Sequence, residues 1–303
     1  MSSKLDAASL FRLDGMVAVV TGGGTGIGRT MARALAINGA SRVYILARRL
    51  DVLEEAAKEF PDVLVPVQCD ITLKDSLESA VERVRTETGY INLLIANSGT
   101  VGPIAGWDPT QPLSEVRAKL FSQEVMDGMT AAFSVNTTGA FFTIVAFLEL
   151  LDAGNQRALA GAGFGAPIVP GSDVPSVQSQ VIVTSSIAAY SRMPMSTPAY
   201  AGSKAAILHL AKQASSNLAP FGIRVNVLAP GLFPSELADT LIRGRDPSKE
   251  SPDDRRFIPA RRFGGDEEIA GTLLYLAGRP GSYCNGSVLM LDGGRLSVML
   301  GSY

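Results

Sequence analysis

Short aliphatic and β-branched runs alternate along this chain with longer segments whose apolar residues recur every three to four positions. The runs Val17–Val20, Arg42–Leu46, Leu64–Gln68, Leu93–Ala96, Val181–Thr184, Arg224–Leu228 and Val288–Leu291 predict strands. Their apolar character is continuous rather than alternating, as in strands covered on both faces of a parallel sheet. The longer segments predict helices. Ile27–Asn38 ends at Gly39, which suits a C′ residue, and Tyr200–Leu218 stops before Pro220. Leu73–Glu87 starts behind Thr72, with Asp75 three residues on as an approximate capping box. No shift in pattern marks a second core. The chain therefore reads as one α/β domain over 1–303, with a doubly wound, mostly parallel, seven-stranded sheet.

Two stretches break the rhythm. Residues 152–180 are rich in Gly, Ala, Pro and Ser without a period and predict a loop insertion. This loop leads from a helix into a strand, which places it at the amino edge of the sheet. Ligands of such sheets bind outside the carboxyl ends of the strands, so it is not expected in its own subunit's active site. Residues 231–265 follow a strand and lie on the ligand side. Their charged middle, Arg243 to Arg256, predicts a solvated substrate flap.

Ala131–Leu151, the longest apolar stretch, is interrupted by Ser134, Asn136, Thr137, Thr138 and Glu149 and reads as a buried helix. The N-terminal arm, 1–14, has no apolar run of signal-peptide length. A cytoplasmic protein with no membrane partner is expected.

Composition narrows the function. Apolar residues make up 46% of 303, enough for a large core, while charged residues are 18%, below the roughly 25% of an average domain. Lys+Arg 27 against Asp+Glu 29 leaves a net charge of −2 and no basic field, so nucleic acid is not an expected partner. Cys69 and Cys284 form no disulfide framework, and with a lone His209 they supply no metal set. Both cysteines read as buried hydrophobes, and no metal is expected.

The first strand runs into a glycine-rich turn, Thr21-Gly-Gly-Gly-Thr-Gly-Ile-Gly28. Such a turn lets the backbone approach a pyrophosphate and aim helix N–H groups at it. Ile27 stands where a strict G-x-G-x-x-G needs its third glycine. The end of the second strand, where NAD-selective sites place an acid for the ribose 2′-hydroxyl, reads Ala47-Arg48-Arg49. A guanidinium fork matches a 2′-phosphate, which favours NADP(H); the alternative is a pair of solvated arginines.

Further on, Tyr200 and Lys204 are four residues apart (204 − 200) and share one helical face. A phenol titrates at about 10, and a neighbouring ammonium would lower that value. Ser185 and Ser186 end the strand Val181–Thr184, on the side where a hydroxyl is wanted to hold a substrate oxygen.

Together these residues resemble the short-chain dehydrogenase/reductase superfamily, over roughly Leu13 to Gly294. The family's T-G-x-x-x-G-x-G corresponds to Thr21–Gly28, and its N-N-A-G appears as Ala96-Asn97-Ser98-Gly99. Its acid after the third strand corresponds to Asp70, followed by Ile71. The V-N-x-x-G context supplies Asn136, Y-x-x-x-K supplies Tyr200 and Lys204, and P-G-x-x-x-T appears as Pro230–Ser235 with Ser for Thr. The gap from Ser186 to Tyr200 is one residue longer than the commonest form, which leaves Ser185 and Ser186 both open.

The resemblance implies a Rossmann-type domain that moves a hydride between NADP(H) and a carbonyl/alcohol pair. Asn136, Ser186, Tyr200 and Lys204 would be its catalytic set. Gly22, Thr25, Gly26, Ile27, Gly28, Arg48, Arg49, Asp70, Ile71, Asn97, Gly99, Pro230, Gly231, Phe233 and Ser235 would hold the cofactor with Tyr200 and Lys204. Tyr200 would protonate the developing alkoxide, with its pKa lowered by Lys204.

Ile104, Trp107, Met193, Met195, Leu232 and Phe233 suit a bulky, weakly polar ketone, unless they only pack the loops. Arg243, Arg245, Arg255 and Arg256 would either belong to the solvated flap or grip an acyl-carrier phosphate. The family's habit of pairing through the Y-x-x-x-K helix implies a homodimer or homotetramer. Ala201, Ala205, Ala206, Ala211 and Ala214 would give that helix a small face, and the apolar tail Leu296–Leu300 would want cover. Other readings are an NAD(P)-linked secondary alcohol dehydrogenase, a 3-oxoacyl reductase, or a non-catalytic nucleotide-binding scaffold.

Overall fold

The computed structural model describes residues 5–169, 171–193 and 196–301. Within them β1 (Val17–Thr21), β2 (Arg42–Ala47), β3 (Leu64–Gln68), β4 (Leu93–Ala96), β5 (Gln180–Thr184), β6 (Arg224–Pro230) and β7 (Val288–Leu291) form one sheet. Its order is β3-β2-β1-β4-β5-β6-β7. Every adjacent pair is parallel, so the expected mostly parallel sheet is wholly parallel. The direction of winding reverses between β1 and β4, which opens a crevice at their carboxyl ends. There the Thr21 hydroxyl accepts the backbone N–H groups of Asn97 and Ser98 at 2.9 and 3.1 Å.

The helices are α1 (Ala7–Phe11), α2 (Gly26–Ile37), α3 (Leu50–Ala57), α4 (Lys74–Glu87), α5 (Leu113–Leu120), α6 (Gln123–Phe133), α7 (Ala140–Ala146), α8 (Leu148–Leu159), α9 (Pro198–Asn217), α10 (Asp239–Ile242) and α11 (Asp266–Ala277). One face of the sheet packs Leu77 of α4, Ile144 of α7, Leu151 of α8 and Ile207 of α9 around Leu94 and Val183. The other packs Leu35 of α2, Leu53 of α3 and Leu273 of α11 around Val20 and Ile45. Covering both faces removes the need for alternation and accounts for the continuous apolar strands.

Several expectations change. Ala131–Leu151 is not one buried helix. It spans the end of α6, a π-helical turn over Ser134–Gly139, α7 and the start of α8. Gln123–Ala146 is long and apolar enough by length and composition to cross a membrane, but α6 and α7 lie against α9. Met126, Phe142 and Val145 project away from that packing and are exposed. Helix α8 runs to Leu159, because Leu151, Asn155 and Ala158 repeat at helical spacing on its buried side. The irregular part of 152–180 therefore begins only at 160. Asn155 ties it down, accepting the Ser179 N–H at 2.8 Å and donating to the Gly222 carbonyl at 2.9 Å.

Helix α4 starts at Lys74, and Thr72 does not cap it, since its hydroxyl donates to Asp70 at 2.7 Å. In the N-terminal arm, Asp6 caps the short α1 and Leu13 is buried. The charged middle of the 231–265 segment is mostly exposed, as expected, but it is tied down by internal pairings. Arg245 and Glu250 form a nearly buried ion pair at 2.8 Å, and Arg295 donates to the carbonyls of Phe257 and Arg255 at 3.0 and 3.1 Å. These pairings leave Arg245 no free fork for a phosphate, and Arg243 and Arg256 pair with Asp239 and Asp254. Cys69 is buried, but Cys284 is only half-buried, with its sulfur 3.5 Å from the Tyr275 hydroxyl. Ala211 lies in the core rather than on a free face. The C-terminal tail bridges Gly301 to Ser191 while Val298 and Leu300 remain exposed.

Candidate active site

Two cavities, of about 540 and 360 Å³, open at the carboxyl edge. They share Gly22, Thr25, Arg49, Ser98, Gly99 and Thr100, so they form two lobes of one groove. Arg48, Asp70 and Ile71 line the smaller lobe. Ser186, Tyr200, Lys204, Gly26, Ile27, Gly28, Asn97, Pro230, Gly231, Phe233 and Ser235 line the larger. Of the expected catalytic and cofactor-binding residues, only Asn136 lines neither; it is buried behind the larger lobe.

The groove has the features a dinucleotide requires. Thr25 precedes α2 without a side-chain cap bond, and the first turn of α2 has no acid, so its N–H groups remain available to an anion. Gly28 has no room for a Cβ, which would run into the Gly22 carbonyl. Gly26 has φ +50°, and a Cβ there would stand 2.9 Å from that of Ser235. Both substitutions would fill the cradle. Asp70 accepts the N–H and the hydroxyl of Thr72, which pull its carboxyl below the usual range. No carboxylate ends β2. Arg48 is exposed there, whereas Arg49 donates to Glu236 at 2.8 Å.

Helix α9 sets Tyr200 and Lys204 one turn apart. Lys204 is fully buried, its ammonium donates to the Thr184 carbonyl at 2.8 Å, and it lies 5.9 Å from the centre of the Tyr200 ring. Gly99 leaves space for it, since a Cβ there would lie 3.4 Å from Nζ and 3.2 Å from Asn136 Oδ1. The two serines differ. Ser185 donates to the Lys204 carbonyl at 2.8 Å, whereas the Ser186 hydroxyl donates to the Pro230 carbonyl at 3.4 Å and accepts the Ala188 N–H at 3.1 Å, beside Tyr200 in the larger lobe.

Burial pushes Lys204 down to about 8 and pushes the Tyr200 phenol up, with the neighbouring Ser186 opposing the latter. The expected lowering of the phenol by Lys204 is therefore absent in the protein alone. Tyr200 has lost more solvation than its neighbours restore, and the ammonium is engaged by Thr184.

Ser203 completes the site without a signal in the linear pattern, through Asn136. Asn136 donates to Thr100 O and Ser203 Oγ at 2.8 and 2.9 Å and accepts the Thr100 N–H at 2.8 Å. Ser203 in turn donates to the Tyr200 carbonyl at 2.9 Å. Ser203 lies inside the Tyr200–Lys204 stretch, but its partner is 67 residues away. Of the residues expected to line the substrate side, Ile104 and Phe233 line the larger lobe. Leu232 lines a separate cavity beside α11, Trp107 is 60% exposed outside the groove, and Met193 lines neither lobe. Met195 lies outside the described residues.

This fold and groove suit a nucleotide-linked enzyme, and comparison with known proteins gives the class. A family model described as enoyl-(acyl carrier protein) reductase matches residues 22–295. The short-chain dehydrogenase/reductase SAT3 of Stachybotrys chartarum is 59% identical over 273 residues, covering 90% of this chain and all of that protein. PhomF of Diaporthe leptostromiformis, also a short-chain dehydrogenase/reductase, is 43% identical over 308 residues, covering 100% of this chain and 99% of that one. Among solved structures, RhlG of Pseudomonas aeruginosa with NADP superposes with a TM-score of 0.73 at 27% identity, covering 95% of this chain and 98% of that chain. The chain belongs to the short-chain dehydrogenase/reductase family. It is an oxidoreductase of a family that binds NAD(P) and acts on small molecules.

Proposed function

We propose that this protein is an NADPH-dependent reductase that converts a ketone on a bulky, weakly polar molecule into a secondary alcohol. The observation that carries this reading is the grouping of Ser186, Tyr200 and Lys204 in the larger of two connected lobes. Arg48 at the other lobe, with no acid ending β2, supports a 2′-phosphate. When bound, the nicotinamide supplies a hydride to the carbonyl carbon. Tyr200, held protonated by burial, donates its proton to the carbonyl oxygen. Ser186 positions that oxygen. Lys204, pinned to Thr184, brings positive charge to the phenol and to the nucleotide ribose. Asn136 is proposed to hold the water that joins Lys204 to solvent.

Val101, Ile104 and Leu237 line the larger lobe with apolar surface and favour a weakly polar substrate over a sugar. The exposed Met126, Met129, Phe142 and Val145, beside α9, support subunit pairing as a homodimer or homotetramer.

The test is a fluorescence titration with NADPH and NADH on wild type and Arg48→Ala, followed by turnover of ketones by wild type and Tyr200→Phe. NADPH is expected to bind more tightly, with the preference lost in Arg48→Ala. Tyr200→Phe is expected to keep NADPH binding and lose about 10²–10⁴ in turnover. Equal affinities untouched by Arg48→Ala would turn the search to NAD-linked alcohols, and full turnover by Tyr200→Phe would remove the phenol from the chemistry.

A further inference from the structure

The two neighbouring arginines at the end of β2 are placed differently. Arg48 lines only the smaller lobe, together with Asp70, whereas Arg49 lines both lobes and stands at their junction. Arg49 has an extended backbone (φ −86°, ψ 99°), which directs its side chain away from that of Arg48. Its Nη2 donates to Glu236 Oε2 at 2.8 Å, so the other donors of its fork remain for a ligand. Glu236 is placed beside the start of α2, since a Cβ added at Gly26 would stand 2.9 Å from that of the preceding Ser235. A dinucleotide that spans both lobes must cross the uncapped start of α2 with its diphosphate. Arg49 is therefore tied at the crossing rather than at the adenosine end.

We infer that Glu236 is a positioning residue that holds Arg49 on the diphosphate and away from the 2′-phosphate, so that Arg48 alone creates the NADPH preference and Glu236 limits it. A carboxylate beside a diphosphate repels it unless neutralised, and Arg49 supplies the neutralising charge. The pair is 59% and 66% exposed, so it adds little to folding and can rearrange when one member is removed. With Glu236 gone, the long Arg49 side chain is free to swing toward the smaller lobe, which it already lines, and to join Arg48 on the extra phosphate.

This inference rests on the dinucleotide reading of the groove. NADPH and NADH affinities, measured by nicotinamide fluorescence, test it on wild type, Arg49→Gln, Glu236→Gln, the double variant and Arg48→Ala. Arg49→Gln is expected to weaken both nucleotides by the same factor, about tenfold. Glu236→Gln is expected to raise the NADPH-to-NADH affinity ratio by about three- to tenfold, and the double variant to return it to the wild-type value. Loss confined to NADPH in Arg49→Gln would assign Arg49 to the 2′-phosphate and overturn the inference. An unchanged ratio in Glu236→Gln would overturn the positioning role. The underlying reading is tested separately by wild type and Arg48→Ala. If neither nucleotide binds, or the ratio ignores Arg48, the reading fails and the inference fails with it, whatever Arg49 does.

Discussion

The central strands bury a cation near each end, and neither cation forms an ion pair among the described residues. At the carboxyl end, Lys204 donates to the Thr184 carbonyl and otherwise faces the groove. At the amino end, Arg224 donates to Gln180 Oε1 and to the carbonyls of Gly281 and Cys284 at 3.1, 2.9 and 2.9 Å, leaving only Nε without a partner. Burial pushes Lys204 down to about 8 and Arg224 down to about 10. A buried cation alone therefore does not mark a site. Arg224 is sealed among carbonyl dipoles and ties β6 to the segment before β7, whereas Lys204 keeps donors pointed into a cavity large enough for a ligand.

Removing each charge separates the two roles most strongly. Lys204→Met is expected to fold and bind weakly polar ligands but to lose turnover by about 10²–10³; turnover within twofold of wild type would place Lys204 outside the chemistry. Arg224→Met strands several buried carbonyls and is expected to cost about 3 kcal/mol in urea unfolding, with turnover per folded molecule unchanged. A stable Arg224→Met protein that has lost activity would reverse the comparison.

The pH dependence follows from the Lys204 shift. Its folded pKa lies below the unfolded value, so between about 8 and 10.5 the unfolded chain binds more protons and folding gains stability as pH rises. At pH 7 the buried charge costs on the order of 1–3 kcal/mol. Lys204→Met should then be more stable than wild type at pH 7, with the difference shrinking above pH 8; equal denaturation midpoints at pH 7 would contradict this. The smallest effect is at the amino end, where the Ser179 hydroxyl is buried without a partner. Ser179→Ala is expected to stabilise by up to about 1 kcal/mol without altering turnover, and a clear loss of stability would show that the hydroxyl is bonded.

The strands were legible nearly to the residue. β5 begins one position before the expected Val181, and β6 extends two beyond Leu228. The helices were legible where one apolar stripe faces the sheet, as in α2 and α4. α8 was hidden because its buried side includes Gly154 and Asn155, which lack an apolar signal. The tie between Asn136 and Ser203, the division between Ser185 and Ser186, and the Arg49–Glu236 pair were not legible, because each joins atoms from elements far apart in the chain. The exposure of most of 243–256 was legible from its charges, whereas the nearly buried Arg245–Glu250 pair inside it was not.

By itself the sequence determined the alternation of buried strands and one-sided helices, the glycine cradle, the arginine pair and the spacing of Tyr200 and Lys204. All of these depend on neighbours within a few residues, or on a motif carried intact by the family. Only the tertiary structure decided which backbone groups each serine engages, which arginine is paired, and whether a buried cation is sealed or open. Those outcomes depend on how far each group is removed from water and on which partners replace it, and that is settled only when distant segments pack together.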